Sequence, residues 1–215
     1  MDKAFRSKMG VAEEKPNDWF ETLYSNSNES GEGVPWANMS PHPIFKDWLA
    51  QNKNCGEGKT ALVIGCGMGD DAIALEQNGF SVTAFDVSES AIELCKKRFP
   101  QSEVNFVQAD LIEGIPEWQG QFDFVLEIYT IQALPPKYES ILIGHICDFV
   151  AEKGEILMIS EIQNNKRTFE VGPPWLLNIS YVDAFEQHGF KRTFYDHSNK
   201  PNMGDAIHLS IFEKQ

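Results

Sequence analysis

Long apolar runs are missing from this sequence. Nowhere do 18 apolar residues follow one another, so a membrane-spanning helix is excluded and one globular domain over residues 1–215 is the expectation. A secretory leader is missing too, because Met1-Asp2-Lys3-Ala4-Phe5-Arg6 mixes charges with no apolar stretch behind it, and a cytoplasmic location is expected. Cysteine is sparse: Cys55, Cys66, Cys95 and Cys147 form no CxxC pair, which argues against a disulfide framework and a structural zinc. No His, Cys, Asp and Glu grouping has metal-ligand spacing, so no metal is expected. Positive charge is also scarce. Lys and Arg number 18 against 32 Asp and Glu, the formal net charge is −14, and no basic cluster exceeds Lys96-Lys97-Arg98. Such a field repels phosphate backbones, which excludes nucleic acid and anionic membrane as expected partners and leaves a small molecule; a monomer suffices.

What is present is a regular alternation of short apolar runs and helical patterns. Thr60 to Ile64, Ser81 to Phe85, Val104 to Gln108, Phe122 to Leu126 and Glu155 to Ser160 are predicted strands. Helices are predicted from Pro43, through Ala72, Ile73, Leu75 and Gln77 to a stop at Gly79, over Ser88 to Phe99, Pro136 to Val150 and Ser180 to His188. The last strands, Lys191 to Asp196 and Ala206 to Phe212, have no helix between them. The expected fold is α/β: a Rossmann-like, seven-stranded, mostly parallel sheet with helices on both faces and a C-terminal antiparallel hairpin. Residues 43–215 form its core. Residues 1–42 are polar yet carry Trp19, Phe20, Tyr24 and Trp36, and read as a lid segment in which Asn17-Asp18 caps a short helix.

The chemistry centres on Gly65-Cys66-Gly67-Met68-Gly69 after the first strand, where glycines permit a tight turn and close approach of a ligand to backbone. Asp86 closes the second strand and is placed to accept hydrogen bonds from both hydroxyls of a ribose. That pairing would serve a nicotinamide dinucleotide equally. The loop is not GxGxxG, however, and Asp70 and Asp71 are poor neighbours for a pyrophosphate but suitable ones for a cationic ammonium and sulfonium, which favours S-adenosylmethionine.

With these motifs in this order the sequence resembles the class I S-adenosylmethionine-dependent methyltransferases from Trp36 to Phe212. Gly33-Val34-Pro35-Trp36, Pro41-His42-Pro43, Glu127-Ile128-Tyr129-Thr130-Ile131-Gln132-Ala133-Leu134-Pro135 and Gly172-Pro173-Pro174-Trp175-Leu176 further resemble the bacterial thiopurine S-methyltransferase and tellurite-resistance group. The resemblance implies that Gly65, Cys66, Gly67 and Gly69 contact the methionine half of the cofactor. It also implies that Asp86, with Val87 beside it, holds the ribose, and that Asp110, with Leu111, holds the adenine amine. Trp19 and Trp36 would lie near the adenosyl or methionyl part.

Ligands of open α/β sheets bind beyond the carboxyl ends of the strands. Glu127, Tyr129 and Thr130 after the fourth strand and Glu161 after the fifth are therefore candidates for the reacting end. Glu127 can orient or deprotonate an amine, or accept from the cofactor's ammonium. Tyr129 and Tyr24 can aim hydroxyls at the acceptor or pack in a wall. His42 and His188 read as a loop and a helix-end histidine. Glu21, Asp70, Asp71, Glu127 and Glu161 would together make a carboxylate-rich mouth, favouring methylation of a cationic amine or guanidine nitrogen. The alternatives are a thiol S-methyltransferase and a non-catalytic protein that binds S-adenosylmethionine.

Overall fold

The computed structural model describes residues 15–164, 172–198 and 204–215. The part of the expected lid before Lys15 lies outside them. The chain divides into two compact units, one of residues 17–110 and one containing 111–215.

In the first unit α1 (Asp18–Ser25) and α2 (Pro43–Gln51) precede β1 (Thr60–Ile64), α3 (Asp70–Gln77), β2 (Ser81–Asp86), α4 (Glu89–Arg98) and β3 (Asn105–Gln108). Strands β1, β2 and β3 pair in parallel, with Val63 opposite Ala84 and Asp86 opposite Gln108. Ala61, Leu62, Val63 and Ile64 are all buried, as a strand covered on both faces requires. Helix α3 packs on β1 and β2, and α4 packs on β2 and β3. Ser88 caps α4 by accepting from the Ala91 N–H, and Lys96, Lys97 and Arg98 fill its last turn, where the helix dipole favours cations. Helix α1 docks on α4.

The second unit holds β4 (Phe122–Ile128), α5 (Glu139–Phe149), β5 (Val150–Ile162), α6 (Tyr181–Gln187), β6 (Phe190–Ser198) and β7 (Ala206–Lys214). Strands β4 and β5 are parallel, and β7 runs antiparallel to both β5 and β6. The strand order of the seven-stranded sheet is β3-β2-β1-β4-β5-β7-β6. The mostly parallel sheet and its antiparallel C-terminal hairpin are as the sequence predicts.

Two boundaries differ from expectation. The helix predicted from Pro136 opens as a 3-10 turn, Pro136–Tyr138, and becomes α-helical only at Glu139, while Val150 belongs to β5. Strand β5 starts five residues before the predicted Glu155 because Phe122 pairs with Val150 and Phe124 with Glu155. The residues between form an irregularity in which Lys153 takes a φ of +63°. Apolar periodicity registers the regular ladder from Glu155 onward and is blind to such an extension. Among the described residues no helix is long and apolar enough to cross a membrane.

Candidate functional site

The glycine loop follows β1 with Gly65, Gly67 and Gly69 at φ of +59°, +53° and +86°. At Gly67 a side chain would be strained by that backbone, and its Cβ would lie 2.8 Å from the Tyr24 hydroxyl. At Gly69 a Cβ would meet the Cys95 sulfur at 2.9 Å. The loop is held from below by α4: the Cys95 thiol donates to the Gly67 carbonyl at 3.1 Å, and Arg98 donates to the Met68 carbonyl. Arg98 also grips Asp70 with both guanidinium nitrogens, at 2.7 and 2.9 Å. The Cys95 hydrogen bond and burial push the Cys66 thiol well above the ordinary thiol range.

Asp86 ends β2 beside this loop and is buried. Its carboxylate accepts from the Gly67 N–H and the Ser88 N–H, each at 3.0 Å. Burial raises its pKa to about 6, against the lowering effect of backbone donors from Ser88, Gly67 and Val87. Val87 follows it, and its carbonyl accepts from the Gln108 amide at 3.1 Å. Asp110 lies beyond β3, and its Oδ2 accepts from the side-chain amide of Asn17 at 2.7 Å. Asn17 therefore does not cap α1 with its side chain, as the sequence suggests; it occupies the cap position but makes no side-chain cap. Leu111 is buried and its carbonyl bonds His145 Nδ1 at 2.8 Å.

The aromatics Trp19, Phe20, Tyr24 and Trp36 gather around α1. Trp36 donates from Nε1 to the Tyr24 hydroxyl at 2.8 Å and lies edge-on to Trp19, with centroids 5.7 Å apart. Tyr24, Val34, Met68, Ala91 and Leu94 form one buried cluster with Trp36 at its margin. Trp19 is buried, and its indole N–H has no hydrogen-bond partner among the described residues. An orphaned buried donor costs about 1–3 kcal/mol and marks a place where a ligand acceptor would be welcome. Burial and the Asp86 carboxylate hold the Tyr24 phenol well above its ordinary pKa, so it is a neutral hydroxyl lying over Gly67.

Three of the acids expected to line a carboxylate-rich mouth have hydrogen-bond partners within the protein. Asp70 is committed to Arg98. Asp71 accepts from the His42 N–H at 2.7 Å, and burial raises it to about 6. Glu21 accepts from the Ser88 and Ser90 hydroxyls, each at 2.6 Å, and ties α1 to the start of α4. These three acids serve the protein's own architecture, because each found a donor brought close by folding from a distant point of the sequence.

In the second unit Glu127, the penultimate residue of β4, is completely buried. Its Oε1 accepts from the Ile131 N–H at 3.0 Å, whereas Oε2 has no hydrogen-bond partner among the described residues. Burial lifts its pKa to about 7 despite the Ile131 and Thr130 backbone donors. Tyr129 sits at φ +60°, a left-handed conformation that costs a non-glycine residue about 1 kcal/mol or more and is concentrated at functional sites. Burial and the Glu161 and Glu127 carboxylates push its phenol upward, so it too is neutral. Glu161 accepts from the Gly204 N–H at 2.9 Å. Its backbone is clasped by Gln132, whose part sequence reasoning missed along with those of Asn17, Arg98 and Ser88. No local pattern marks such residues, although a glutamine inside an apolar turn was a faint signal.

The ubiquinone biosynthesis O-methyltransferase of Erwinia tasmaniensis is 26% identical over 140 residues, covering 64% of this chain and 54% of that protein. The chain spans between 54% and 60% of the length of the first three curated relatives it matches. Among solved structures, N-methyltransferase NodS from Bradyrhizobium japonicum, in complex with S-adenosyl-L-homocysteine, aligns with a TM-score of 0.71 at 15% identity, covering 92% of this chain and 97% of that one. The [4+2]-cyclase SpnF aligns with a TM-score of 0.65 at 13% identity over 80% of each chain. Both likenesses concern the fold alone. Residues 61–154, from the core of β1 through the glycine loop, Asp86, Asp110 and Glu127 to the bend within β5, match the family model of the methyltransferase domain.

Proposed function

We propose that the protein is an enzyme that transfers a methyl group from S-adenosylmethionine to a small-molecule acceptor. The observation that carries this reading is the buried Asp86 carboxylate joined to the Gly67 N–H beside a loop with three left-handed glycines. The residues fit the cofactor. Asp86 has lone pairs for a ribose diol, the glycines leave backbone exposed to close approach, and the orphaned Trp19 indole N–H offers a donor. In this reading Gly65, Cys66, Gly67 and Gly69 face the methionyl half, Asp86 and Val87 the ribose, and Asp110 and Leu111 the adenine, with Trp19 and Trp36 covering the ligand. The lid aromatics also support the narrower likeness to the thiopurine and tellurite-resistance group.

Bound S-adenosylmethionine supplies an activated methyl on its sulfonium, so the chain's task is to position the acceptor, exclude water and take a proton where the acceptor has one to lose. Glu127 takes that proton on Oε2. A carboxylate with a pKa of about 7 is half ionised near neutral pH, where a general base works best. Tyr129, neutral and held by its backbone, orients the acceptor by donating from its hydroxyl. Tyr24 lies on the glycine loop and acts there, on the cofactor side.

A base beside a donor suits an acceptor that arrives protonated. A nitrogen acceptor remains the proposal, with thiol sulfur the alternative. The support from charge now rests on Glu127 and Glu161 alone, since Glu21, Asp70 and Asp71 are otherwise engaged. A purely cofactor-binding protein would have no use for the buried, half-satisfied Glu127.

Calorimetric titration with S-adenosylhomocysteine tests the reading. Micromolar binding by the wild type, lost in Asp86→Ala and weakened in Asp86→Asn, is expected. No binding by the wild type would overturn it.

A further inference from the structure

We propose that Asn17 is a positioning residue for the cofactor's adenine amine, acting through the carboxylate of Asp110. The inference rests on the reading of Asp110 as the adenine contact.

The argument begins with a helix cap that is not made. Asparagine is among the best N-cap residues, and such a cap contributes about 1 kcal/mol. Asn17 holds the cap position of α1, where its carbonyl already accepts from the Phe20 N–H at 3.1 Å. Its side chain nevertheless turns away from the two-turn helix and donates across 93 residues of sequence to Asp110 Oδ2 at 2.7 Å. With its backbone in the helical region, Asn17 makes no side-chain cap, and its amide is given instead to one distant carboxylate.

The carboxylate so controlled is the one whose direction matters. An exocyclic amine donates in the plane of its ring, and it is recognised well only by an acceptor already held in that direction. Because Asp110 can only accept, the Asn17 amide must present its NH2 group, and the pair fixes both orientations at once.

The rest of the helix face agrees. Asn17, Glu21 and Tyr24 follow one another at the i, i+4 and i+7 spacing of a single stripe. Asn17 meets the loop after β3, Glu21 meets Ser88 and Ser90 just after β2, and Tyr24 lies on Gly67 of the loop after β1. One helix thus touches all three cofactor motifs. Glu21 supplies docking alone and provides a control for it.

The test compares two ligands on the full chain by calorimetry: S-adenosylhomocysteine and S-inosylhomocysteine, in which a carbonyl replaces the adenine amine. The wild type is expected to prefer the adenosyl ligand. Asn17→Ala should weaken the adenosyl ligand about five- to tenfold and change the inosyl ligand less than twofold. Asn17→Ser, which keeps a small polar residue at the cap position while its short side chain cannot span to Asp110, should show the same loss of discrimination, separating recognition from helix stability. Glu21→Ala should weaken both ligands together. Equal weakening of both ligands by Asn17→Ala and Asn17→Ser would reduce Asn17 to a docking contact and overturn the proposal. If Asp110→Ala leaves the wild-type preference intact, the adenine reading of Asp110 itself fails, and the proposal falls with it.

Discussion

The Gln132 side chain pairs with the backbone of Glu161 as a strand would, donating from Nε2 to the Glu161 carbonyl at 2.8 Å and accepting the Glu161 N–H at 2.7 Å. The Gln132 carbonyl also accepts from the Trp175 N–H at 2.8 Å, and the Leu177 N–H shares the Glu161 carbonyl at 3.2 Å. Gln132 thereby ties the turn after β4 to the end of β5 through its side-chain amide and to the segment leading to α6 through its backbone carbonyl. Gln132→Ala removes both of its side-chain hydrogen bonds to the buried Glu161 backbone and is expected to cost about 1–3 kcal/mol in urea unfolding. A loss below about 0.5 kcal/mol would mean that the clasp does not hold in solution.

Glu127 sets a pH dependence of definite sign. Burial raises its pKa from 4.5 to about 7, so the fold favours the protonated acid. The stability this provides is complete below about pH 4.5 and is lost as pH rises through about 7. Glu127→Gln is neutral throughout and should gain on the order of 3 kcal/mol relative to the wild type between about pH 4.5 and 8. Asp86 and Asp71, each raised to about 6, contribute slopes of the same sign that persist in the variant. Urea titrations across this range check the difference, and parallel curves for the two proteins would contradict it.

Gly67→Ala combines a φ of +53° with a methyl 2.8 Å from the Tyr24 hydroxyl. The expected cost is about 1–2 kcal/mol for the backbone alone, with loss of S-adenosylhomocysteine binding. Tyr24→Phe in the same chain removes the crowding oxygen and should recover part of the stability but none of the backbone strain. Thermal unfolding of the single and double variants measures both effects.

Arg98→Lys tests whether geometry or charge holds the loop. The guanidinium reaches Asp70 twice and the Met68 carbonyl once, a fork that an ammonium cannot reproduce. A roughly tenfold weaker affinity for S-adenosylhomocysteine is expected, with α4 retained by circular dichroism. Unchanged affinity would show that Gly69 and Cys95 suffice to shape the loop.

Much of this was legible before folding was considered. Strand and helix identities follow from local periodicity, and Gly65, Gly67 and Gly69 declare themselves because few other residues tolerate their φ values. Asp86 stands out because an acid closing an apolar strand needs a reason. Glu127 is legible in the same way, since it interrupts Phe124-Val125-Leu126-Glu127-Ile128.

Partner choice was not legible. The sequence by itself determined the order of elements, the glycine turn and the acids at the ends of β2 and β4, all consequences of backbone preference and burial that act within a few residues. Only the tertiary structure decided that Asn17 serves Asp110 rather than its own helix, that Asp70 belongs to Arg98 and Glu21 to Ser88 and Ser90, and that one oxygen of Glu127 meets no donor among the described residues. The physical reason is that a polar side chain takes whichever donor or acceptor lies within about 3 Å and properly aligned once the chain has folded. That distance is set by elements tens of residues apart, so no local pattern encodes it.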